Sequence, residues 1–348
     1  MAVLLGHDPG CDAHDPGPGH PERVERMAAV LRGARSAGLE DELVAFEPRP
    51  ATLDEVAVVH DPSYVSALVE RCATGGGELD PDTYITAGSC SVALRAAGAG
   101  LDAVARLDRG EAAAAFLALR PPGHHARRAQ AMGFCLLNSI AVTAAALVAR
   151  GERVLVLDWD AHHGNGTQEL FYDEADLLFI SLHQYPWYPG SGALEETGAN
   201  DGAGATINVP FPAGTAGDAY RLAFEELIAP AAEAFSPSWL LVSAGFDGHR
   251  ADPLAQLGLS AGDFGDLAMR ATNLVPPGRR ILFLEGGYDL DALELSVAAT
   301  VAALGGSEIR PEHPTAGGRD GMHGAEPGGQ PARVVDAARV LHDRLSSN

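Results

Sequence analysis

The chain has 348 residues, 46% of them hydrophobic and 20% charged, which is enough apolar material for a large buried core. Forty-seven acidic residues stand against 24 basic ones, a formal charge of −23; this argues against a nucleic-acid partner or an anionic membrane surface and favours the approach of cationic substrates. The four cysteines (Cys11, Cys72, Cys90 and Cys135) lack CxxC spacing and read as reduced; with no basic leader and no clean apolar run of about 18 residues, the expected location is cytoplasmic with no membrane span.

The predicted elements alternate along the chain. A strand over Ala2–His7 is followed by a helix over Pro21–Ala37, where Pro-Glu makes a favourable first turn. Next come a helix over Gly88–Leu107, a strand over Ala113–Leu119 and a helix over Leu137–Arg150. Strands over Arg153–Asp160 and Asp176–His183 precede a helix over Ala216–Phe235 and a strand over Trp239–Asp247. A helix over Ser260–Asn273 opens on Ser260 and Asp263, a capping-box pair with Asp in the usual Glu place. A strand over Arg279–Gly287 and a helix over Leu290–Leu304 follow. Ile309–Gln330 is rich in Gly and Pro and is expected to be loose. A last helix is predicted over Ala332–Leu345.

Several strands are continuous apolar runs, as in parallel strands buried on both faces. The pattern predicts an α/β fold, an open parallel β-sheet flanked by helices, with residues 1–348 forming a single domain. In such sheets function collects at the carboxyl ends of the strands. Five ends carry chemistry: RPPGHH, WDAHHG, SLH, GFDGH and EGGY.

Asp160 and His162 alternate on an extended segment and point the same way, so they can share one metal ion. Carboxylate plus imidazole suits Zn²⁺, Mn²⁺ or Fe²⁺, and a catalytic site needs about three protein ligands. Asp247 is the obvious third. The competing reading is a pair of loop residues capping the next helix. His124 and His125 follow a rigid Pro-Pro-Gly turn and are candidates for moving protons; adjacent histidines are also common on surfaces. Two glycines let Tyr288 approach closely enough to donate to a developing oxyanion, although a packing tyrosine at a strand-end turn is the commoner meaning of GGY.

RPPGHHA, MGFCLLN, LDWDAHHGNGTQ, ISLHQ, YPGSG, SAGFDGHRADPL and LEGGYDL occur in this order. Together they resemble the histone deacetylase superfamily of zinc-dependent amide hydrolases, which includes acetylpolyamine amidohydrolases and acetoin-utilisation proteins. The match runs from HPERVERM (His20–Met27) to the helix before Gly305. LEGGYDL, and Asn165 after HHG, resemble the class II branch and its bacterial relatives.

The resemblance implies roles. Asp160, His162 and Asp247 match the ligands of one Zn²⁺. His125 matches the general base and acid, His124 its electrostatic partner, and Tyr288 the group that polarises the amide carbonyl. Asp158 matches a carboxylate behind His124 that also holds a structural K⁺ or Na⁺, with Asp160, His162, Ser181 and Leu182 completing that site; Phe171 belongs to a second cation site. Phe134 and Tyr188 flank the acyl-lysine channel, Asp82 stands at its rim, and Arg26 lies near the exit path for acetate. Asn165 supports a catalytic histidine where class I members carry Asp. Tyr188 replaces a common Phe and adds a polar tip.

The implied reaction removes acetyl or another acyl group from a lysine side chain, giving acetate and a free amine. Partners are acylated proteins, peptides or small amines; a homo-oligomer is allowed. Arginase-like dinuclear chemistry is a rival, but Gly164 and His249 stand where its extra carboxylates belong. A non-catalytic acyl-lysine reader would be expected to have lost a ligand, a catalytic histidine or the tyrosine, and none is lost. Polyamine-selective members place Glu two residues after the Asp of the ADP-type turn. Here that residue is Leu254, which cannot pair with a distant ammonium; the balance tips to acyl-lysine, with acetylpolyamine or another small amide as the alternative. His7, His14 and His20 sit in a Gly/Pro-rich loop expected at the pocket rim. Cys135 reads as a packed hydrophobe, and His60, His163, His249, His313, His323 and His342 as surface or structural residues.

Overall fold

The computed structural model describes residues 1–317, 324–326 and 328–346. Among the described residues ten strands form: β1 (Val3–His7), β2 (Leu43–Phe46), β3 (Gly76–Asp80), β4 (Thr83–Thr86), β5 (Ala114–Ala118), β6 (Val154–Asp158), β7 (Leu177–Gln184), β8 (Thr206–Phe211), β9 (Trp239–Ala244) and β10 (Arg280–Leu284). Eight of them make one sheet in the order β2-β1-β5-β10-β9-β6-β7-β8. Every pairing in it is parallel. The remaining two, β3 and β4, form a separate antiparallel hairpin.

The helices are α1 (Glu25–Arg35), α2 (Leu53–Val56), α3 (Pro62–Ala73), α4 (Ser89–Asp108), α5 (Ser139–Val148), α6 (Asn165–Leu170), α7 (Gly217–Ala223), α8 (Ala229–Phe235), α9 (Ala261–Ala271), α10 (Leu290–Gly305) and α11 (Gln330–Ser346). A single π-turn, Phe224–Ile228, joins α7 to α8. Ser260 and Asp263 cap α9 reciprocally, with Ser260 N donating to Asp263 Oδ2 at 2.9 Å.

The central strands are largely apolar runs because each separates two cores. Leu155, Leu157, Val242 and Leu282 face one core, with α1, α9 and α10. Val154, Val156, Leu241 and Phe283 face the other, with α4 and α5. Alternation along each strand thus divides apolar residues between two faces rather than between core and water. No helix among the described residues is long and apolar enough to cross a membrane.

The two edge strands were not among the predicted elements. β2 is half-exposed, and β8 contains Pro210, which an edge tolerates because it leaves only one ladder to satisfy; α11 packs on β8 and covers that edge. Helix α3 was also missed, although its start is signalled: Asp61 accepts from Ser63 N at 2.8 Å and Pro62 opens the first turn.

One expectation is corrected. Cys72 on α3 and Cys90 on α4 form a disulfide, with Cα atoms 6.2 Å apart. The 18-residue spacing says nothing of it; the β3–β4 hairpin folds back and brings the two helices together. Cys11 and Cys135 are free and buried. The segment after α10 is pinned where it is described: Glu312 accepts from Ala261 N and meets His249 Nε2, both at 2.8 Å, and Thr315 N donates to Asp263. His323 lies outside the described residues.

Candidate active site

Four of the five chemistry-bearing strand ends belong to β5, β10, β9 and β6, which are consecutive in the middle of the sheet; the fifth, β7, is next to β6. Their loops therefore converge on one floor. Asp160 and His162 follow β6 and Asp247 follows β9. His162 Nδ1 lies 2.8 Å from Asp247 Oδ2 and 3.2 Å from Asp160 Oδ1. One ligand atom from each of the three falls within 4.8 Å of the others, the only such group of His, Cys, Asp and Glu among the described residues. All three are buried.

Two carboxylates and one imidazole, removed from water, fit a divalent cation. Burying two negative charges is costly unless a cation compensates them. Backbone N–H groups take only part of that charge: Ala161 N donates to Asp247 Oδ1 at 2.8 Å and Gly286 N to Asp160 Oδ2 at 2.8 Å. Burial by itself would lower the His162 pKa, yet Asp247 and Asp160 together raise it well above the ordinary imidazole value. The site thus draws positive charge inward. Gly164 and His249 add no further ligand, so the geometry supports a mononuclear centre rather than an arginase-like pair.

The tandem histidines follow β5. His124 Nδ1 is 3.0 Å from Asp158 Oδ2, and His125 Nδ1 is 2.7 Å from Asn165 Oδ1. Burial pushes both pKa values down, but Asp158, Asp160 and Glu285 overcome it at His124 and raise that residue to about 10. At His125 burial prevails, reinforced by His124 and His162, and the value falls well below 6.5. The environment separates two adjacent imidazoles into one charged and one neutral, a pattern suited to proton transfer. Gly164 makes the pair possible: a Cβ there would come within 2.2 Å of Asp158 Oδ2.

A cavity of about 260 Å³ leads down to this floor, lined among others by His125, His162, Phe134, Tyr188, Leu254 and Tyr288. Tyr188 meets His125 edge-on with ring centroids 5.2 Å apart. Phe134 approaches Tyr288 at 5.7 Å. Gly133 (φ 55°) and Phe134 (φ 66°) are successive left-handed residues; a Cβ on Gly133 would strike the His125 ring. This unusual backbone is held by the β3–β4 hairpin: Gly133 N donates to Asp82 Oδ1 at 3.1 Å and Phe134 N to Thr83 Oγ1 at 3.0 Å. Burial raises the Tyr288 phenol well above its ordinary value, so it remains a donor.

The other sequence candidates fall around this centre. Asp158 and Ser181 are paired across β6 and β7, with Leu182 next in the strand; Ser181 Oγ lies 2.9 Å from His183 Nδ1. Phe171 ends α6, away from the floor, and its carbonyl accepts from Glu174 N. His163 turns away from the ligand group, to Ser191 Oγ and Gln168 Oε1. Arg26 is fully buried with every nitrogen engaged: Nε donates to Gly287 O at 2.7 Å, Nη1 to Glu22 Oε1 at 3.0 Å and Nη2 to Glu285 O at 2.5 Å. His20 reaches the rim, 4.8 Å from Phe134. Cys135 is buried and its thiol is pushed well above 9.0 by that burial.

Sequence reasoning missed three residues. Asp252 accepts from Leu254 N at 3.0 Å, Tyr288 N at 2.6 Å and Asp289 N at 3.2 Å. Trp187 lines the mouth and its Nε1 donates to Leu254 O at 3.0 Å. Glu285 receives the turn before His124. The acidic pair had a signal: a carboxylate at the end of an apolar strand or in a buried turn needs donors.

Residues 20–304 match the histone deacetylase domain. The chain belongs to the histone deacetylase family. It is 40% identical to a probable deacetylase of Archaeoglobus fulgidus over 85% of this chain and 84% of that protein. It is 37% identical to a chloroplastic histone deacetylase 10 of Oryza sativa subsp. japonica, over 93% and 77% of the two chains. The crystal structure of the HDA15 HD domain superposes with a TM-score of 0.87 at 32% identity, covering 100% of this chain and 97% of that one. This chain is therefore a histone deacetylase-family deacetylase, and its family is generally metal-dependent.

Proposed function

We propose that this chain, acting as one catalytic domain in the cytoplasm, uses a single zinc ion to remove acetyl groups from lysine side chains. The observation that carries the reading is the buried Asp160–His162–Asp247 group at the base of a cavity walled by Phe134 and Tyr188. These three residues would hold the metal. A zinc ion there would acidify a water molecule and polarise the acyl carbonyl.

The protein's own groups do the rest. Phe134 and Tyr188 confine the extended alkyl chain and exclude water from it. Asp82 at the rim would accept from the substrate backbone. His125, neutral and oriented by Asn165, takes a proton from the attacking water and returns it to the leaving amine. His124 stays positive beside Asp158 and stabilises the charge that develops nearby. Tyr288 donates its hydroxyl hydrogen bond to the oxyanion. Asp158, Asp160, His162, Ser181 and Leu182 would hold a structural K⁺ or Na⁺.

Leu254 favours acyl-lysine over acetylpolyamine because an apolar side chain at the mouth leaves a distant ammonium without a counter-charge. The test is a panel of acetyl-lysine peptide, longer acyl-lysine peptides and acetylpolyamines, each with and without a chelator. The chain contains no lysine, so any acetyl-lysine consumed comes from the added substrate. Chelator-sensitive turnover led by acetyl-lysine peptide is expected. No turnover with one zinc bound per chain would sink the reading; preference for acetylpolyamine would replace the substrate.

A further inference from the structure

The turn that presents the two catalytic histidines is short of internal partners. Its Pro121 and Pro122 have no N–H, so the first backbone donors after Arg120 are Gly123 N and His124 N. Both are aimed at one oxygen from another loop. Glu285 Oε2 accepts from Gly123 N at 2.6 Å and from His124 N at 3.1 Å. Its other oxygen receives Ser243 Oγ at 3.4 Å.

Glu285 is 1% exposed and follows directly on β10, between β5 and β9 in the sheet. Its main chain is fixed on both sides. Glu285 N donates to Ala244 O at 3.1 Å, and its carbonyl accepts from Arg26 Nη2. The next residue, Gly286, donates its N–H to Asp160 Oδ2 at 2.8 Å. One dipeptide therefore touches the histidine turn with its side chain and the metal-ligating carboxylate with its backbone. No rotatable surface contact intervenes.

We propose that Glu285 is a positioning residue for the deacetylase reaction: its carboxylate sets the direction of the Gly123–His125 turn and locks it in register with Asp160. The inference rests on the proposed deacetylase mechanism. Proton transfer depends on a placement finer than about 1 Å, and an error of that size costs about 100-fold in rate. Glu285 supplies the placement without touching the substrate. Its acceptor oxygen is the property required, and an amide oxygen in the same place can receive the same two N–H groups while its NH₂ faces Ser243 Oγ.

The test compares Glu285→Met, Glu285→Gln and Glu285→Asp in the zinc-loaded chain, reading steady-state kinetics and hydrogen exchange at the Gly123 and His124 amides. In Glu285→Met the two amides lose protection and kcat falls about 100-fold, with KM changed by less than about threefold and zinc affinity unaltered. Glu285→Gln restores amide protection and most of the lost rate. Glu285→Asp keeps the charge but withdraws the acceptor, so it behaves like Glu285→Met and serves in its place if that variant does not fold. Retained protection in Glu285→Met or Glu285→Asp, lost protection with kcat unchanged, or a Gln variant as impaired as the Met variant would each overturn the proposal. An inactive wild-type chain would remove the deacetylase reading instead, and amide exchange would still report whether Glu285 holds the turn.

Discussion

The floor and the mouth of the cavity are built by opposite means. At the floor, Asp158, Asp160, His124, Asp247 and Glu285 are buried and stand at or just beyond the ends of four consecutive parallel strands. Each carboxylate there accepts from backbone N–H groups or a neighbouring side chain, so its position follows from the sheet register. At the mouth, Trp187 and Tyr188 are more than a third exposed and lie on loops, as do Leu254 and Asp82. Their placement depends on a few cross-loop hydrogen bonds. The difference separates what the site can do from what it can admit: strands fix the reacting groups, and loops set the entry.

Breaking the floor has the largest expected effect. Asp247→Asn removes one charge from the candidate metal-holding group and leaves the Ala161 N and His162 contacts with a weaker partner. We expect loss of bound zinc by elemental analysis and a fall in kcat/KM of at least about three orders of magnitude. An Asn variant that keeps both metal and activity would exclude Asp247 as a ligand. Tyr288→Phe deletes one donor and leaves the ring against Phe134. Its kcat should fall by about 10²–10³-fold with zinc content unchanged. A kcat equal to the wild type would take Tyr288 out of the mechanism.

Charge at the floor predicts a pH window. Asp158 is raised by burial to about 6, against the pull of His124, and His124 is raised to about 10. Asp158 is ionised above its value and His124 is protonated below its own, so the ion pair exists between about pH 6 and about pH 10. The rate should be flat inside that window and fall on either side. Asp158→Asn removes the carboxylate that holds the imidazolium, so the alkaline limb should move to lower pH. A kcat–pH profile with an unmoved alkaline limb in this variant would separate His124 from Asp158.

The same contrast governs what could be read from the chain. The central strands and their polar ends were legible because a parallel strand buried on both faces leaves a continuous apolar run, and any Asp or His after it stands out. Asp160, His162 and Asp247 were found this way, and the structure gathers them. The edge strand β8 was hidden because Pro210 interrupts its run, and β2 because half of it faces water. The Cys72–Cys90 pairing depends on the approach of two helices, which no spacing encodes. Glu285 and Asp252 lie within the motifs but their roles are not legible there, because their partners are backbone N–H groups from loops distant in sequence. A motif shows which side chains occur together and not which main-chain donors they will meet.

The mouth gives the smallest effect and the sharpest test of specificity. Leu254 is fastened by its backbone alone: its N–H donates to Asp252 and its carbonyl accepts from Trp187 Nε1. The side chain carries none of these bonds, so Leu254→Glu changes the chemistry at the entrance while the loop stays tied. A carboxylate there would attract the distal ammonium of an acetylpolyamine and gain little from a neutral peptide flank. The ratio of kcat/KM for acetylpolyamine to that for acetyl-lysine peptide should rise by about two- to fivefold, the scale of one solvated charge contact. The kcat for acetyl-lysine should change little, since the floor is untouched. A rise in the ratio that comes entirely from a lower kcat on the peptide would show that Leu254 also steers Tyr288 through Asp252, and the division between floor and mouth would then fail at that carboxylate.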